Sequence, residues 1–297
     1  MTTTPVFYPW TLRDRTFHWG QRTYVMGILN VTPDSFSDGG QFYRLDQGLA
    51  QAQALVEGGV DLVDIGGQST RPGAETIPTE AELRRVVPLV EAIRRSSEPA
   101  LREVVISVDT TRAEVARAAV RAGADVVNDI SGGTFDDAML ATVADLGVPI
   151  ILMHIRGTPA TMQQQTDYED LISEIYSHLE RQIENAIAAG ISHNHIAIDP
   201  GIGFAKTAPQ NLDILRRIPD FRPLGCPILI GPSRKSFIGS ILDQPDPQQR
   251  VWGTAAACCA AIAGGADILR VHDGREMVQV AQVADALWRG HHPGTER

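Results

Sequence analysis

The sequence predicts an α/β barrel of eight parallel strands, and three observations carry that prediction. Short apolar runs alternate with helical periodicity along nearly the whole chain. The runs, at residues 26–30, 62–66, 104–109, 125–129, 150–154, 196–199, 228–231 and 268–272, number eight. Each closes on a polar side chain or a glycine that an apolar strand cannot continue. A strand followed by a helix, repeated, folds into a parallel sheet because right-handed crossovers pack each helix outside it. A doubly wound open sheet is the alternative, and in either architecture ligand groups converge at the carboxyl ends of the strands.

Helical spacing follows each run. It is expected over residues 45–57, stopping at Gly58-Gly59, then 80–95, 112–122, 136–146, 168–189, 211–217, 251–263 and 276–288. Residues 7–24 alternate apolar and polar around Trp19-Gly20, which predicts a hairpin plugging one end of the barrel. No low-complexity linker or charge block interrupts the alternation, so residues 1–297 read as one domain, with 1–23 as the hairpin cap and 290–297 as a tail.

Composition narrows the class. Hydrophobic residues make up 43% and charged residues 21%, with no apolar run approaching the roughly 18 residues of a membrane helix. The opening MTTTPVFYPW lacks a basic segment leading into an apolar one, so a soluble, cytoplasmic protein is expected. A net charge of −10 argues against a nucleic-acid surface, and any anionic ligand must be held by local cations. Cys226, Cys258 and Cys259 have no metal-ligand spacing and read as core packing. Of 26 basic residues, only Lys206 and Lys235 are lysine, and both fall in strand-end loops, PGIGFAKT and GPSRKS. Where arginine is the default cation, a retained lysine suggests a place for a compact ammonium, and this supports Lys235 as a site residue.

The polar strand ends are the candidate site. Asn30, Asp109, Asn128, Asp199, Lys235, Arg270 and His272 would each be awkward in an apolar barrel without a partner, whereas Asp64, His154 and Asp267 read as satisfied buried polar groups. A carboxylate can accept two parallel N–H donors from an amidine-like ring edge, so Asp109, Asn128 and Asp199 suit a 2-amino-pyrimidinone ring. Arg71, Arg270 and His272, with Asn30 and the hydroxyls of Ser69 and Thr70, form an anion-binding group. A ligand with a heteroaromatic end and a phosphorylated end is implied.

These motifs resemble the dihydropteroate synthase family of folate biosynthesis. MGILNVTPDSFSDGG, DIGGQSTRPG, SVDT, NDISGG, DPGIGFAK, SRKSFIG and RVHD stand in that family's order, and the resemblance runs from about Tyr24 to Trp288. It implies a (β/α)8 barrel, a homodimer, and an Mg²⁺-assisted reaction joining 6-hydroxymethyl-7,8-dihydropterin diphosphate to 4-aminobenzoate, giving 7,8-dihydropteroate and pyrophosphate. Residue by residue, it implies that Asp109, Asn128, Asp199 and Lys235 hold the pterin, with Met153 and Phe204 as apolar lining. Asn30 would be the Mg²⁺ ligand, and Thr70, Arg71, Arg270 and His272 would join it on the diphosphate. Phe36, Asp38, Pro72, Lys235 and Ser236 would surround the aminobenzoate, with Asp38, Asp199, Lys235, Arg270 and His272 carrying the chemistry. Gly39-Gly40 and Gly66-Gly67 are plausible loop hinges.

Two rivals share parts of this pattern. A methyltetrahydrofolate–corrinoid methyltransferase has the barrel and the acidic pterin pocket but no use for three diphosphate-binding cations. A phosphate-binding barrel acting as a sensor would leave the ring-binding carboxylates incidental. Pyrophosphate release that requires 4-aminobenzoate separates all three. Smaller expectations are that Pro232 removes a terminal hydrogen bond of its strand, that residues 154–162 are structural, and that the chain is monofunctional. The last two helices, with Trp252 and the Ala-rich 255–263 face, are the expected dimer surface.

Overall fold

Strand parity builds the molecule. The computed structural model describes residues 8–31, 41–71 and 73–290. After a small hairpin of β1 (Trp10–Leu12) and β2 (Arg15–Phe17) come β3 (Tyr24–Asn30), β4 (Leu62–Gly66), β5 (Val105–Asp109), β6 (Val126–Asp129), β7 (Ile150–Met153), β8 (Ile196–Asp199), β9 (Leu229–Ile230) and β10 (Ile268–Val271). The last eight form one parallel sheet in the order β8-β7-β6-β5-β4-β3-β10-β9. A parallel bridge from Ile198 to Ile228 joins the first strand of that order to the last and closes the barrel. The expectation of a closed parallel barrel holds, and the open-sheet alternative does not.

Successive side chains of a strand point to opposite faces, so each barrel strand serves two environments. One parity, including Val25, Leu29, Val63, Ile65, Ile106, Val108, Val127, Ile150 and Leu269, packs outward with the helices in a single core cluster. The opposite parity points into the barrel. Its first layer, Met26, Leu62, Val105, Val126, Ile151, Ala197, Leu229 and Ile268, forms a second cluster with Trp10, Phe17, Trp19 and Tyr24 of the N-terminal segment. Two residues further along the same strands lie Asp64, Ser107, Asn128, Asp199 and Arg270. One end of the barrel interior is therefore apolar and the other polar.

The hairpin seals the apolar end, but it turns at Arg13-Asp14 rather than at Trp19-Gly20. Trp10 pairs with Phe17 and Leu12 with Arg15, and Arg13 takes a left-handed φ of +57° in the tight connection. Gly20, at φ +81°, instead bends the chain out of the hairpin and towards β3, where its N–H donates to Asp267 Oδ1 at 3.0 Å. Asp267 also accepts from Ile228 N at 3.0 Å, the structural role expected of it. Trp10 meets Trp19 edge to face at 5.0 Å, and Phe17 lies 4.8 Å from Tyr24. Burying each such ring contributes roughly 1.5–3 kcal/mol.

The crossover helices are α1 (Gln41–Glu57), α2 (Thr79–Arg94), α4 (Ala113–Ala122), α5 (Met139–Leu146), α6 (Leu171–Ala188), α7 (Ala208–Arg216), α9 (Val251–Ala263) and α10 (Gly274–Trp288), with short additions α3 (Pro99–Arg102) and α8 (Ser236–Leu242). Several begin where caps dictate and not where apolar spacing starts. Asp136 accepts from Ala138 N at 3.0 Å and from Ala113 N at 2.8 Å, which holds residues 136–138 as a turn ahead of α5. Asp170 caps α6 by accepting from Ser173 N. Thr207 and Gln210 form a reciprocal capping box that starts α7 earlier than residue 211. No helix among the described residues is long and apolar enough to cross a membrane. β9 is the shortest barrel strand, spanning only Leu229–Ile230.

Candidate active site

The polar end starts with a buried ion cluster. Arg270, on β10, donates through Nε to Asp64 Oδ2 and through Nη2 to Asp109 Oδ2, both at 2.6 Å. Asn128 Nδ2 donates to the same Asp64 oxygen at 3.2 Å. Asp64, expected to be a bland buried group, is thus a floor residue of the site. Its strand parity with Gly66 and with the inward Leu62 is the signal that could have found it. Asp199, at the end of β8, accepts from Gly201 N at 2.7 Å. Lys235 places its ammonium 4.1 Å from the centre of the Phe204 ring, and Gly203 lets it come there, since a Cβ on Gly203 would sit 2.8 Å from Lys235 Cδ.

A cavity of about 590 Å³ opens over this floor. Of the residues expected from the sequence, Asn30, Ser69, Thr70, Arg71, Phe204, Lys235, Ser236, Arg270 and His272 line it together. Asp109, Asn128 and Asp199 are buried, and the first two join the cavity through the Arg270 and Asp64 cluster. Met153 is buried in an apolar cluster with Met162 and Phe204, and both of those line the cavity. Met162 corrects the reading of residues 154–162 as purely structural. The segment holding Asp246, Pro247, Gln248 and Arg250 also forms wall, and no local sequence signal marked it. Phe36, Asp38 and Pro72, together with the Gly39-Gly40 hinge, lie outside the described residues.

Burial sets the electrostatics. It pushes the Asp109 carboxyl up to about 7; Arg270 opposes that shift and Asp64 reinforces it, because two carboxylates share one guanidinium. Asp199 is pushed up to about 6 by burial, with Gly201, Lys235 and Lys206 pulling the other way. Burial lowers Lys235 to about 8, helped by Arg270 and opposed by Asp199 and Asp109. For Arg270 burial works against the charge, but Asp64 and Asp109 outweigh it and hold the guanidinium above its ordinary range.

His272 behaves differently from the arginines beside it. Burial, with Arg234 and Arg270 nearby, drives its pKa down to about 3. Its backbone N–H donates to Ser233 Oγ at 3.1 Å, and Ser233 Oγ lies 3.0 Å from His272 Nδ1. The Ser233 hydroxyl thus anchors both the backbone and the ring of His272, and holds Nε2 as the ring nitrogen not engaged by it. Without an anion bound, burial and the neighbouring arginines favour the neutral ring. Arg234, in the same loop, is tied to Asp273, while Arg250 donates to the Arg234 carbonyl at 2.9 Å and fixes the left-handed φ of +59° at Arg234.

Among the described residues no group of three or more His, Cys, Asp or Glu side chains converges as a metal cage. Asn30 places one neutral amide oxygen donor in the cavity wall at the end of β3. That donor set fits a hard cation taking most of its ligands from phosphate oxygens and water, as Mg²⁺ commonly does.

Fold and site together define a class: a closed parallel barrel whose carboxyl end sets a carboxylate-and-amide floor against an arginine-lined wall, suited to a polar ring bearing an anion. The pterin binding enzyme family model matches residues 26–272. The chain is 59% identical over 273 residues to a dihydropteroate synthase of Synechocystis, covering 92% of this chain and 93% of that one. A Yersinia pestis dihydropteroate synthase solved with a sulfonamide drug superposes with a TM-score of 0.86 at 42% identity, over 94% of this chain and 99% of its own. A Xanthomonas albilineans dihydropteroate synthase with 4-aminobenzoic acid gives 0.85 at 41% identity, over 96% and 98%. Some longer folate-synthesis relatives also match, and the chain spans 36% to 58% of their length. The chain belongs to the pterin binding enzyme family.

Proposed function

We propose that this cavity carries out the dihydropteroate synthase reaction, joining 6-hydroxymethyl-7,8-dihydropterin diphosphate to 4-aminobenzoate with release of pyrophosphate. The single observation that carries the reading is Arg270. It grips the carboxylates suited to a pterin edge and lines the same cavity as Arg71 and His272, so one residue touches both halves of the ligand site. In this reading Asp109, Asn128, Asp199 and Lys235 bind the ring, with Met153 and Phe204 as apolar lining. Asn30, Thr70, Arg71, Arg270 and His272 receive the diphosphate. Phe36, Pro72, Lys235 and Ser236 form the aminobenzoate pocket.

The anilinic amine is a weak nucleophile, so the C–O bond to diphosphate breaks first and the electron-rich dihydropterin delocalises the resulting cation. Arg71 and Arg270 stabilise the departing charge, and His272 adds a ring N–H. Asp199, with Asp38 from the segment between β3 and α1, keeps the cation near negative charge until the amine captures it and gives up its extra proton to solvent. Asn30 would hold Mg²⁺ together with the diphosphate, and the ion would supply Lewis-acid stabilisation of the leaving charge. We also read the chain as a single catalytic domain working as a cytoplasmic homodimer. Supporting the dimer, an apolar groove of about 660 Å³ runs between α7, α8 and α9, flanked by exposed Ile241 and Leu242, with Trp252 also exposed on α9.

The test is pyrophosphate release from the dihydropterin diphosphate with and without 4-aminobenzoate. Release that requires the aminobenzoate supports the reading. Release indifferent to it, or none, overturns it.

A further inference from the structure

Resting on the pterin-binding reading above, we propose that Lys206 is a positioning residue for the ring site, clamping the β8–α7 loop so that Phe204, Lys235 and Asp199 hold their places around the pterin. Lys206 does not line the cavity, and no step of the reaction uses it. Yet it is 3% exposed, and a buried ammonium costs stability unless something holds it. Its Nζ donates to the Phe204 carbonyl at 2.8 Å and lies 3.0 Å from His154 Nδ1. When Lys206 is protonated it can only donate, so Nδ1 then accepts, in keeping with an imidazole that burial holds neutral. Lys206 thereby ties the loop that follows β8 to the residue that follows β7.

The loop needs such a tie. Gly201, Gly203 and Ala205 all take left-handed φ values, +76°, +82° and +53°, so the backbone is bent tightly at every second position. Ala205 does so without being glycine, which costs energy that neighbouring contacts must offset. A Cβ at Gly201 would fall 2.0 Å from the His154 carbonyl and 3.2 Å from Lys206 Nζ, so the loop backbone and the lysine are packed against the same strand end. What the clamp holds is functional on both sides. Asp199 Oδ1 accepts from Gly201 N, and the Phe204 ring lies beneath the Lys235 ammonium.

Charge gives Lys206 a second effect that a neutral clamp would lack. The charged groups facing Asp199 are Lys235, Lys206 and Arg270, and all three favour its ionised form. Burial lowers the Lys206 ammonium to about 7, with Arg156 and Lys235 adding to the fall and Asp199 opposing it, so its positive charge is fullest on the acid side, where Asp199 titrates. His154 abuts Lys206 and, through its ring, His178 at 4.8 Å; burial keeps both imidazoles well below their usual pKa, so neither competes for the cation near neutral pH.

The experiment is steady-state kinetics of the full chain with Lys206→Met, which keeps the shape of the stem and removes the ammonium. The Michaelis constant for the dihydropterin diphosphate should rise about tenfold, as for loss of one charge-assisted contact, with a clearly smaller rise for 4-aminobenzoate, whose pocket shares only Lys235 with the clamped group. The acid limb of kcat/KM should move to higher pH, because Asp199 loses a cation. Should Lys206→Met not fold, Lys206→Gln tests the charge alone, and the acid limb should still move to higher pH. Unchanged constants, or both rising in step with no movement of the acid limb, overturn the proposal. Wild-type protein that shows no aminobenzoate-dependent release would instead sink the underlying reading, whatever the variants do.

Discussion

The two ends of the barrel interior are made by the same strands and have opposite chemistry. At the amino end, inward side chains such as Met26, Leu62, Val105 and Ile268 pack against Trp10, Phe17 and Trp19. At the carboxyl end the same parity delivers Asp64, Ser107, Asn128, Asp199 and Arg270, with buried polar atoms such as Asp64 Oδ1 and Ser107 Oγ lacking a protein partner. The first end lowers the free energy of folding. The second raises it and holds groups where a ligand can use them. Stability and activity should therefore separate along the barrel axis, and each prediction below probes that separation.

The largest effect is expected from Arg270→Ala. Removing the guanidinium leaves Asp64 and Asp109 without their shared cation, and breaking a buried pair in this way costs about 3–5 kcal/mol. Losing its contact to the leaving anion costs roughly a further tenfold to hundredfold in kcat/KM. Urea unfolding and turnover measured on one preparation check both, and near-normal turnover would contradict the assigned role. Trp10→Ala is the counterpart at the other end. Its ring is buried against Trp19, and its Nε1 donates to the Asn194 carbonyl at 2.6 Å. The variant should lose about 3–5 kcal/mol of stability, with kcat/KM within twofold of wild type at temperatures where it stays folded.

Asp199→Asn sharpens the comparison through pH. Burial pushes the Asp199 carboxyl up to about 6, whereas an unfolded aspartate titrates near 3.9. Between about pH 4 and 6 the folded protein binds a proton that the unfolded chain has released, so this group's contribution falls as pH rises through that window. The asparagine variant should lack that fall, roughly 2–3 kcal/mol in full, when unfolding free energy is followed from pH 4 to 7. Identical slopes for the two proteins would show that Asp199 is not a cost to the fold. The smallest effect belongs to Arg13→Ala. Arg13 links the hairpin turn to Asp125 and Glu103 near the barrel's amino rim, where solvent screens the pairs. Thermal melts should show a loss of about 0.5–1 kcal/mol, with no change in turnover.

Much of this was legible because strand periodicity is a local signal. The eight apolar runs and their polar ends were readable one at a time, and Asn30, Lys235, Arg270 and His272 do meet in one cavity. What escaped depended on three-dimensional neighbours. Asp64 looks like an isolated acid in an apolar run, and only the inward direction it shares with Arg270 gives it a role. Met162 and the Asp246–Arg250 wall come from loops whose composition carries no sign of where they fold. Glycine is the stronger turn residue, so the sequence points to a turn at Trp19-Gly20, yet the strands meet at Arg13-Asp14 and Gly20 serves the step into β3. Helix starts shifted where caps such as Asp170 and Thr207 outweighed apolar spacing.

The alternation that sorts greasy from ionic positions along each strand also makes these strands intolerant of length change. Inserting or deleting one residue within β5 would turn Asp109 outward against the helices and bring Val108 to face the interior. Drift in this barrel is therefore channelled into substitutions within strands and length variation in loops, and a frame-preserving indel library should recover functional clones with lengthened loops and almost none with lengthened strands.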